Sequence, residues 1–367
     1  MELMDAALNI IGVTVVDALA MFLWIAWLMK KDLYAERKGN TPAVLIFTLA
    51  GMMSAPLALL FYSNRGLDGV AYMLGYDTFL YYYLVVGLVE EAAKLIVFIA
   101  ISSALGTVKD TMDGVVQGAA VGLGFAIVEN FIYGLDYGFF VAIIRSVTSI
   151  TGHMTYAAIA AYGFVSMRFG KGSTELRRRL YGVRGLLIAI FLHGTHNSLL
   201  LLGVIFPTIG LDIAALFMLA SFISRTESES PYKSFPAREW AQAVSVISSG
   251  IRHDAGNKDF YLRRGYYYLC GGHYGKATED FATALRLSPD KRFANACLSA
   301  ANALSSNTAV SRELLDYRFQ ALSPSQRRSF RDSLARGLKG DKRRIILGQL
   351  DSYPSSVSRR DSFAGPN

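Results

Sequence analysis

The chain has 367 residues, 52% of them hydrophobic, with 22 Phe, 20 Tyr and a formal net charge of +8. Apolar runs of bilayer-spanning length follow one another as far as about residue 224, which excludes an ordinary soluble protein for that part. The basic surplus lies elsewhere: from Arg225 onward there are 23 Lys+Arg against 14 Asp+Glu, and the remainder carries −1. A surplus spread thinly beside a membrane points to anionic lipid headgroups and solubility, not to nucleic acid.

The expected fold class is all-α: a polytopic transmembrane helix bundle of about seven spans, then a cytosolic α-helical repeat region. Hydropathy puts the spans at Ala7–Met29, Pro42–Tyr62, Thr78–Ala104, Val115–Leu135, Phe139–Met167, Gly185–Phe206 and Thr208–Ile223. The N-terminus, MELMDAA, has no basic n-region and its first apolar run is of full spanning length, so no cleavable signal peptide is expected. Lys30, Lys31, Arg37 and Lys38 crowd the first loop, and Arg168, Lys171, Arg177, Arg178, Arg179 and Arg184 the fifth, whereas Asn64–Asp77 holds only Arg65. The positive-inside rule then puts the N-terminus outside and the C-terminus in the cytosol, for a multi-pass integral membrane protein.

Residues 1–224 therefore read as the transmembrane domain, 225–352 as the cytosolic helical domain opening on a Ser/Glu linker at Arg225–Ser230, and 353–367 as a disordered Ser/Arg/Pro tail. In Lys258–Asp290, Tyr261, Gly265, Tyr268, Ala277, Phe281, Ala284 and Pro289 stand at tetratricopeptide-repeat (TPR) spacing. Ala243, Ile247 and Gly250 echo that pattern one repeat earlier, and Phe293–Leu304 and Arg312–Leu322 are amphipathic. Such repeats predict a cytosolic peptide or protein partner. The two cysteines, Cys270 and Cys297, lie in this region and read as free core thiols.

Chemistry is concentrated in charges placed inside apolar spans, where an ionisable residue costs roughly 2.5–3.5 kcal/mol on insertion scales and marks a functional site. LVVGLVEEAAKLIV, at Leu84–Val97, carries Glu90, Glu91 and Lys94. Glu90 and Lys94 are i,i+4 neighbours, and Glu91 lies about 100° round the helix, so the two glutamates are expected to do different jobs, with Glu90 favoured to face the site. In the next span Gly118, Gly122, Phe125, Glu129 and Tyr133 form one stripe, with Asn130 on its flank. His153 follows Gly152 midway along the fifth span, with Arg145 nearer its outer end. FLHGTHNSLL in the sixth places His193, His196 and Asn197 at i, i+3 and i+4. Each cluster alone reads equally as a packing ion pair or a helix–helix hydrogen bond. Together, on successive spans, they point to one buried reaction centre. The zincin motif HExxH is ruled out, because no glutamate stands between His193 and His196.

Glu90-Glu91-Ala92-Ala93-Lys94, Gly124-Phe125-Ala126-Ile127-Val128-Glu129-Asn130, Gly152-His153 and His193-Gly194-Thr195-His196-Asn197 resemble the PrsW family of intramembrane proteases, relatives of the CAAX prenyl endopeptidase and bacteriocin-processing superfamily. That superfamily shows EExxxR or EExxK, then FxxxH, then HxxxN or HxxxD. Here the second element is FAIVE, with Glu129 where the CAAX branch has histidine, which is the PrsW variant. The resemblance covers about Thr78–Leu202. It implies cleavage of a membrane-bound protein such as an anti-sigma factor, by a metal-dependent or glutamate-based mechanism. The implied catalytic residues are Glu90, Glu91, Glu129, His193 and Asn197, with His153 added and Lys94, His196, Asn130 and Tyr133 in support. If a divalent metal such as zinc takes part, Glu129, His153 and His193 are the candidate ligands.

From residue type alone, Glu90 or Glu91 suits a general base that activates water, His193, Asn197 and His153 suit holding that water and the oxyanion, and Glu129 suits protonating the leaving amine. Two other classes compete: a transporter whose buried carboxylates relay protons or cations, and a non-catalytic scaffold presenting the helical repeats. The spans show no obvious inverted repeat, against the first, and the four clusters keep their polar residues, against the second.

Overall fold

The computed structural model describes residues 2–63, 65–76, 78–169, 174–288, 291–306 and 309–351. All regular structure among them is helical, and the chain divides into two compact units, Met1–Tyr232 and Lys233–Asn367.

The first unit runs α1 (Glu2–Lys31), α2 (Ala35–Lys38), α3 (Ala43–Met52), α4 (Ser54–Tyr62), α5 (Arg65–Leu74) and α6 (Phe79–Tyr81). A π-helical stretch, Tyr82–Gly87, leads from α6 into α7 (Leu88–Leu105), followed by α8 (Thr111–Tyr137), α9 (Phe139–Val147), α10 (Ser149–Phe169), α11 (Glu175–Leu201) and α12 (Ile205–Glu229). Four stretches, Ala6–Lys31, Ala43–Tyr62, Thr111–Tyr137 and Ile205–Glu229, are long and apolar enough to cross a membrane. Helix α7 is as apolar as these but carries three charged residues, Glu90, Glu91 and Lys94. Apolar side chains on α1 and α12 point outward, with Phe22 67% and Phe206 88% exposed, as a lipid-facing surface requires.

α8 is the central helix, and its composition explains why. Glycine and alanine let neighbouring backbones come close. A Cβ on Gly122 would run into the carbonyl of His153 on α10, and one on Gly124 into the carbonyl of Thr48 on α3. Phe47, Val115, Ala119, Leu123, Ile150 and Met154 fill the core around this sandwich.

The helices depart from the hydropathy reading at four places. The expected fifth span, Phe139–Met167, is two helices broken at Thr148, because the hydroxyls of Thr148 and Thr151 bond main-chain carbonyls in competition with the helix ladder. The break between the last two spans falls at Gly203, which has φ +67, while Pro207 sits in the first turn of α12, where its missing N–H costs nothing. The expected linker at Arg225–Ser230 is helical to Glu229, and the expected loop at Asn64–Asp77 contains α5.

Outside the membrane-crossing stretches, Lys38 is buried with Nζ 2.9 Å from Asp110 Oδ1 and 2.8 Å from Asp113 Oδ1. Asp110 also caps α8 and accepts from Ser230 Oγ at 2.6 Å. Burial alone would lower the Lys38 pKa, but the two carboxylates push it above its ordinary value.

The second unit opens with a 3₁₀ turn (Ala237–Glu239), then α13 (Trp240–His253), α14 (Lys258–Cys270), α15 (Tyr274–Leu287), α16 (Lys291–Ser306), α17 (Ala309–Gln320), α18 (Pro324–Gly337) and α19 (Gly340–Asp351). α14 and α15 close up where Gly265 faces the Phe281 ring, and Arg264 clamps Asp280 with two bonds of 2.8 and 2.7 Å. Ala243, Ile247, Gly250, Ala277 and Ala284 are buried between helices. Cys270 and Cys297 are free thiols, pushed by burial to about 11 and about 12. Pro289 and the tail 353–367 lie outside the described residues.

Candidate active site

The chain enters α7 through the π-helical turn, which carries an extra residue per turn and resets which side chains face inward. That turn is seated against α11: Gly87 lies under the Ile190 carbonyl, and Tyr83 Oη is 2.9 Å from Thr195 Oγ1. Glu90 and Glu91 follow on α7, opposite His193.

Glu91 is fully buried. Its Oε1 lies 2.7 Å from Lys94 Nζ and accepts from His193 Nδ1 at 2.8 Å. Lys94 Nζ also donates to His153 Nδ1 at 2.8 Å and sits 4.0 Å from the Phe125 ring centre. An ammonium can only donate, so the His153 proton is on Nε2, which gives it to Glu129 Oε2 at 2.8 Å. Arg145 reaches the same Glu129 oxygen at 2.9 Å. The two imidazoles meet edge to face with centres 5.0 Å apart, and Tyr156 stacks on His193 at 5.7 Å.

Glu90 differs from its neighbour. Oε1 accepts from Tyr62 Oη at 3.1 Å, while Oε2 is buried without a hydrogen-bond donor, 3.6 Å from His193 Nε2 and 3.9 Å from Lys94 Nζ. Nδ1 of His193 donates to Glu91, and its Nε2 faces the Glu90 oxygen. The unpaired carboxylate oxygen and the imidazole nitrogen thus face each other in a buried cluster.

Six residues expected at the site, Glu90, Glu91, Lys94, Glu129, His153 and His193, come together from α7, α8, α10 and α11. Lys94 pairs chiefly with Glu91 at i,i+3, not with Glu90 at i,i+4, and both glutamates approach one imidazole from its two nitrogens because His193 lies between them. The other four stand aside. His196 turns to Asp212 of α12, with Nδ1 3.0 Å from Oδ1 but outside hydrogen-bond alignment. Asn130 bonds Asp17 of α1 and the Ala142 carbonyl. Tyr133 lies on the Arg145 guanidinium at 4.0 Å. Asn197 is half-buried one turn beyond His193, with no side-chain hydrogen bond among the described residues. Sequence reasoning missed Tyr62, Tyr156 and Asp17. The aromatics gave no signal among 20 tyrosines, but Asp17, a lone charge in an apolar span, did.

Among the described residues, the donor set suits a divalent cation in one place. Ligand atoms of Glu90, His153 and His193 lie within 4.8 Å of one another, and the unpaired Glu90 oxygen is among the buried ones. His153 would exchange its bond to Lys94 or Glu129 for the ion. Glu129, expected as a ligand, is held instead by Arg145 and His153.

The model of the PrsW family intramembrane metalloproteases matches residues 40–224, half of the chain and all of the helices that build this cluster. The chain belongs to the PrsW family. Among its curated PrsW relatives, Protease PrsW of Clostridioides difficile (strain 630) is 28% identical over 181 residues, 48% of this chain and 74% of that protein. Protease PrsW of Shouchella clausii is 30% identical over 118 residues, 32% of this chain, and the match spans about half (53%) of that relative. Protease PrsW of Oceanobacillus iheyensis is 25% identical over 198 residues, 53% of this chain and 83% of that protein. No solved structure matches. The PrsW match ends before the second unit begins.

Proposed function

We propose that this PrsW-family protein is an intramembrane endopeptidase that hydrolyses a peptide bond of a membrane-bound protein, an anti-sigma factor being one example. The observation that carries the reading is the unpaired, buried Glu90 Oε2 opposite His193 Nε2. A carboxylate so placed takes a proton from a water held between it and the imidazole, the oxygen attacks the scissile carbonyl carbon, and the C–N bond breaks as that proton passes to the leaving amine. Glu91 sets the His193 tautomer and balances Lys94, whose ammonium lies near enough to stabilise the oxyanion. Glu129, ion-paired to Arg145, orients His153 rather than acting as an acid.

Glu90, His153 and His193 would hold a divalent ion such as zinc, which when bound polarises the carbonyl and lowers the pKa of water. The reading includes about seven spans, an outside N-terminus, kinship with the CAAX superfamily, and a TPR-like second unit that recruits a cytosolic partner.

The test uses full-length protein in proteoliposomes with a panel of single-span substrates, with ion flux followed in parallel. Cleavage by wild type that is lost in Glu90→Gln supports the reading. Ion flux with no cleavage across the panel contradicts it in favour of a transporter. Metal analysis with chelator titration on the same samples separates the metal-dependent from the glutamate mechanism.

A further inference from the structure

Helix α1 precedes the residues matched by the family, yet it carries Asp17, the one charged residue between Ala7 and Met29. Asp17 is 5% exposed. Its Oδ1 accepts from Asn130 Nδ2, and the same nitrogen donates to the Ala142 carbonyl at 3.1 Å. Asn130 follows Glu129 on α8, and Ala142 lies one turn before Arg145 on α9. One contact thus ties α1 to the residue beside Glu129 and to the turn before Arg145. The other Asp17 oxygen, Oδ2, and Nε of Arg145 are buried groups of opposite sign without a hydrogen-bond partner, and the two side chains interact electrostatically.

Docking α1 does not need this residue. Asn9 bonds the Gly134 carbonyl at 3.2 Å and the Phe139 amide at 2.9 Å, and Trp24 Nε1 bonds the Ser146 carbonyl at 3.1 Å, so α1 is already stapled to the α8–α9 hairpin at both ends. What Asp17 adds between those staples is a buried carboxylate bonded to Asn130, the residue next to Glu129. Arg145 in turn fixes the carboxylate that orients His153.

We propose that Asp17 is a positioning residue for the reaction: through Asn130 and Arg145 it holds Glu129, and with it His153, in place. The proposal rests on the proteolytic reading. It makes α1 part of the working site.

The experiment measures kcat, KM and melting temperature in proteoliposomes for wild type, Asp17→Ala, Asp17→Asn, Arg145→Ala, the Asp17→Ala/Arg145→Ala double variant and Asn9→Ala. Asp17→Asn keeps the acceptor for Asn130 and removes only the charge, which covers the case in which Asp17→Ala fails to fold. Loss of an outer partner of this kind costs about 10–100-fold in activity, so both Asp17 variants should lose kcat by at least the lower figure with KM nearly unchanged. In the Arg145→Ala background Asp17→Ala should add little, because the two act in one chain. Asn9→Ala should lower the melting temperature and leave kcat alone. Wild type that cleaves while the Asp17 variants keep their kcat overturns the positioning role alone. So do losses that multiply fully with Arg145→Ala, or an equal kcat loss in Asn9→Ala. Wild type that cleaves no substrate contradicts the proteolytic reading and the positioning role together.

Discussion

Glu91 Oε1 on α7 lies 2.8 Å from His193 Nδ1 on α11, and the same oxygen lies 2.7 Å from Lys94 Nζ. That single oxygen fixes the tautomer of one imidazole and neutralises one buried ammonium, which leaves the adjacent Glu90 free to present an unpaired oxygen. The two glutamates should therefore fail differently. Glu91→Gln takes the nearer carboxylate from buried Lys94, leaving Glu90 at 3.9 Å, and should cost about 3–5 kcal/mol of stability, read as a fall in melting temperature. Glu90→Gln should melt near wild type and lose about 10²–10⁴-fold in kcat.

Gly122 sets how near α8 comes to α10, because any side chain there meets the His153 carbonyl. Gly122→Ala removes no polar group, yet it must push His153 away from Lys94 and Glu129. A displacement of about 1 Å at a reacting centre costs about 10²-fold, so cleavage should fall by that order while the protein remains folded by circular dichroism.

Lys38 is enclosed with Asp110 and Asp113, and Ser230 closes the cluster from the end of α12. Lys38→Met leaves two carboxylates uncompensated and should cost about 3–5 kcal/mol in a thermal or denaturant melt. Lys38→Met with Asp110→Asn and Asp113→Asn removes the stranded charges and should recover part of that loss.

Burial raises the thiols of Cys270 and Cys297 from their ordinary 9.0 to about 11 and about 12. A raised acid favours the folded state below the unfolded pKa, and that contribution is lost as pH climbs through the folded values. Stability should thus be insensitive to these groups up to pH 9 and decline between pH 9 and pH 12. At pH 8 both thiols should resist iodoacetamide in the folded protein and react once it is unfolded, as read by mass spectrometry.

The cost of a charge in an apolar span was enough to pick out Glu90, Glu91, Lys94, Glu129, His153 and His193, and the structure brings all six together. Helical phase tells which residues share a face, but not which neighbour that face meets. His196 and Asn130 sit close to the right phase and turn to Asp212 and Asp17, partners that only packing reveals. The angle between Glu90 and Glu91 likewise suggested separate destinations, and the position of His193 between them makes one imidazole serve both. The π-helical turn at Tyr82–Gly87 leaves no mark in hydropathy, whereas Ser146, Thr148, Ser149 and Thr151 do interrupt the apolar run at the break. Asp17 obeyed the same rule as Glu90 but stood without a motif around it.

The most direct measurement is intact-mass analysis of the products released from a single-span substrate in H₂¹⁸O, with wild type beside Glu90→Gln. The account predicts that wild type yields two fragments cut within or at the edge of the substrate's span, with one ¹⁸O in the new C-terminal carboxylate, and that Glu90→Gln yields none. Fragments formed equally by Glu90→Gln, or no fragment from wild type with any substrate, would contradict it.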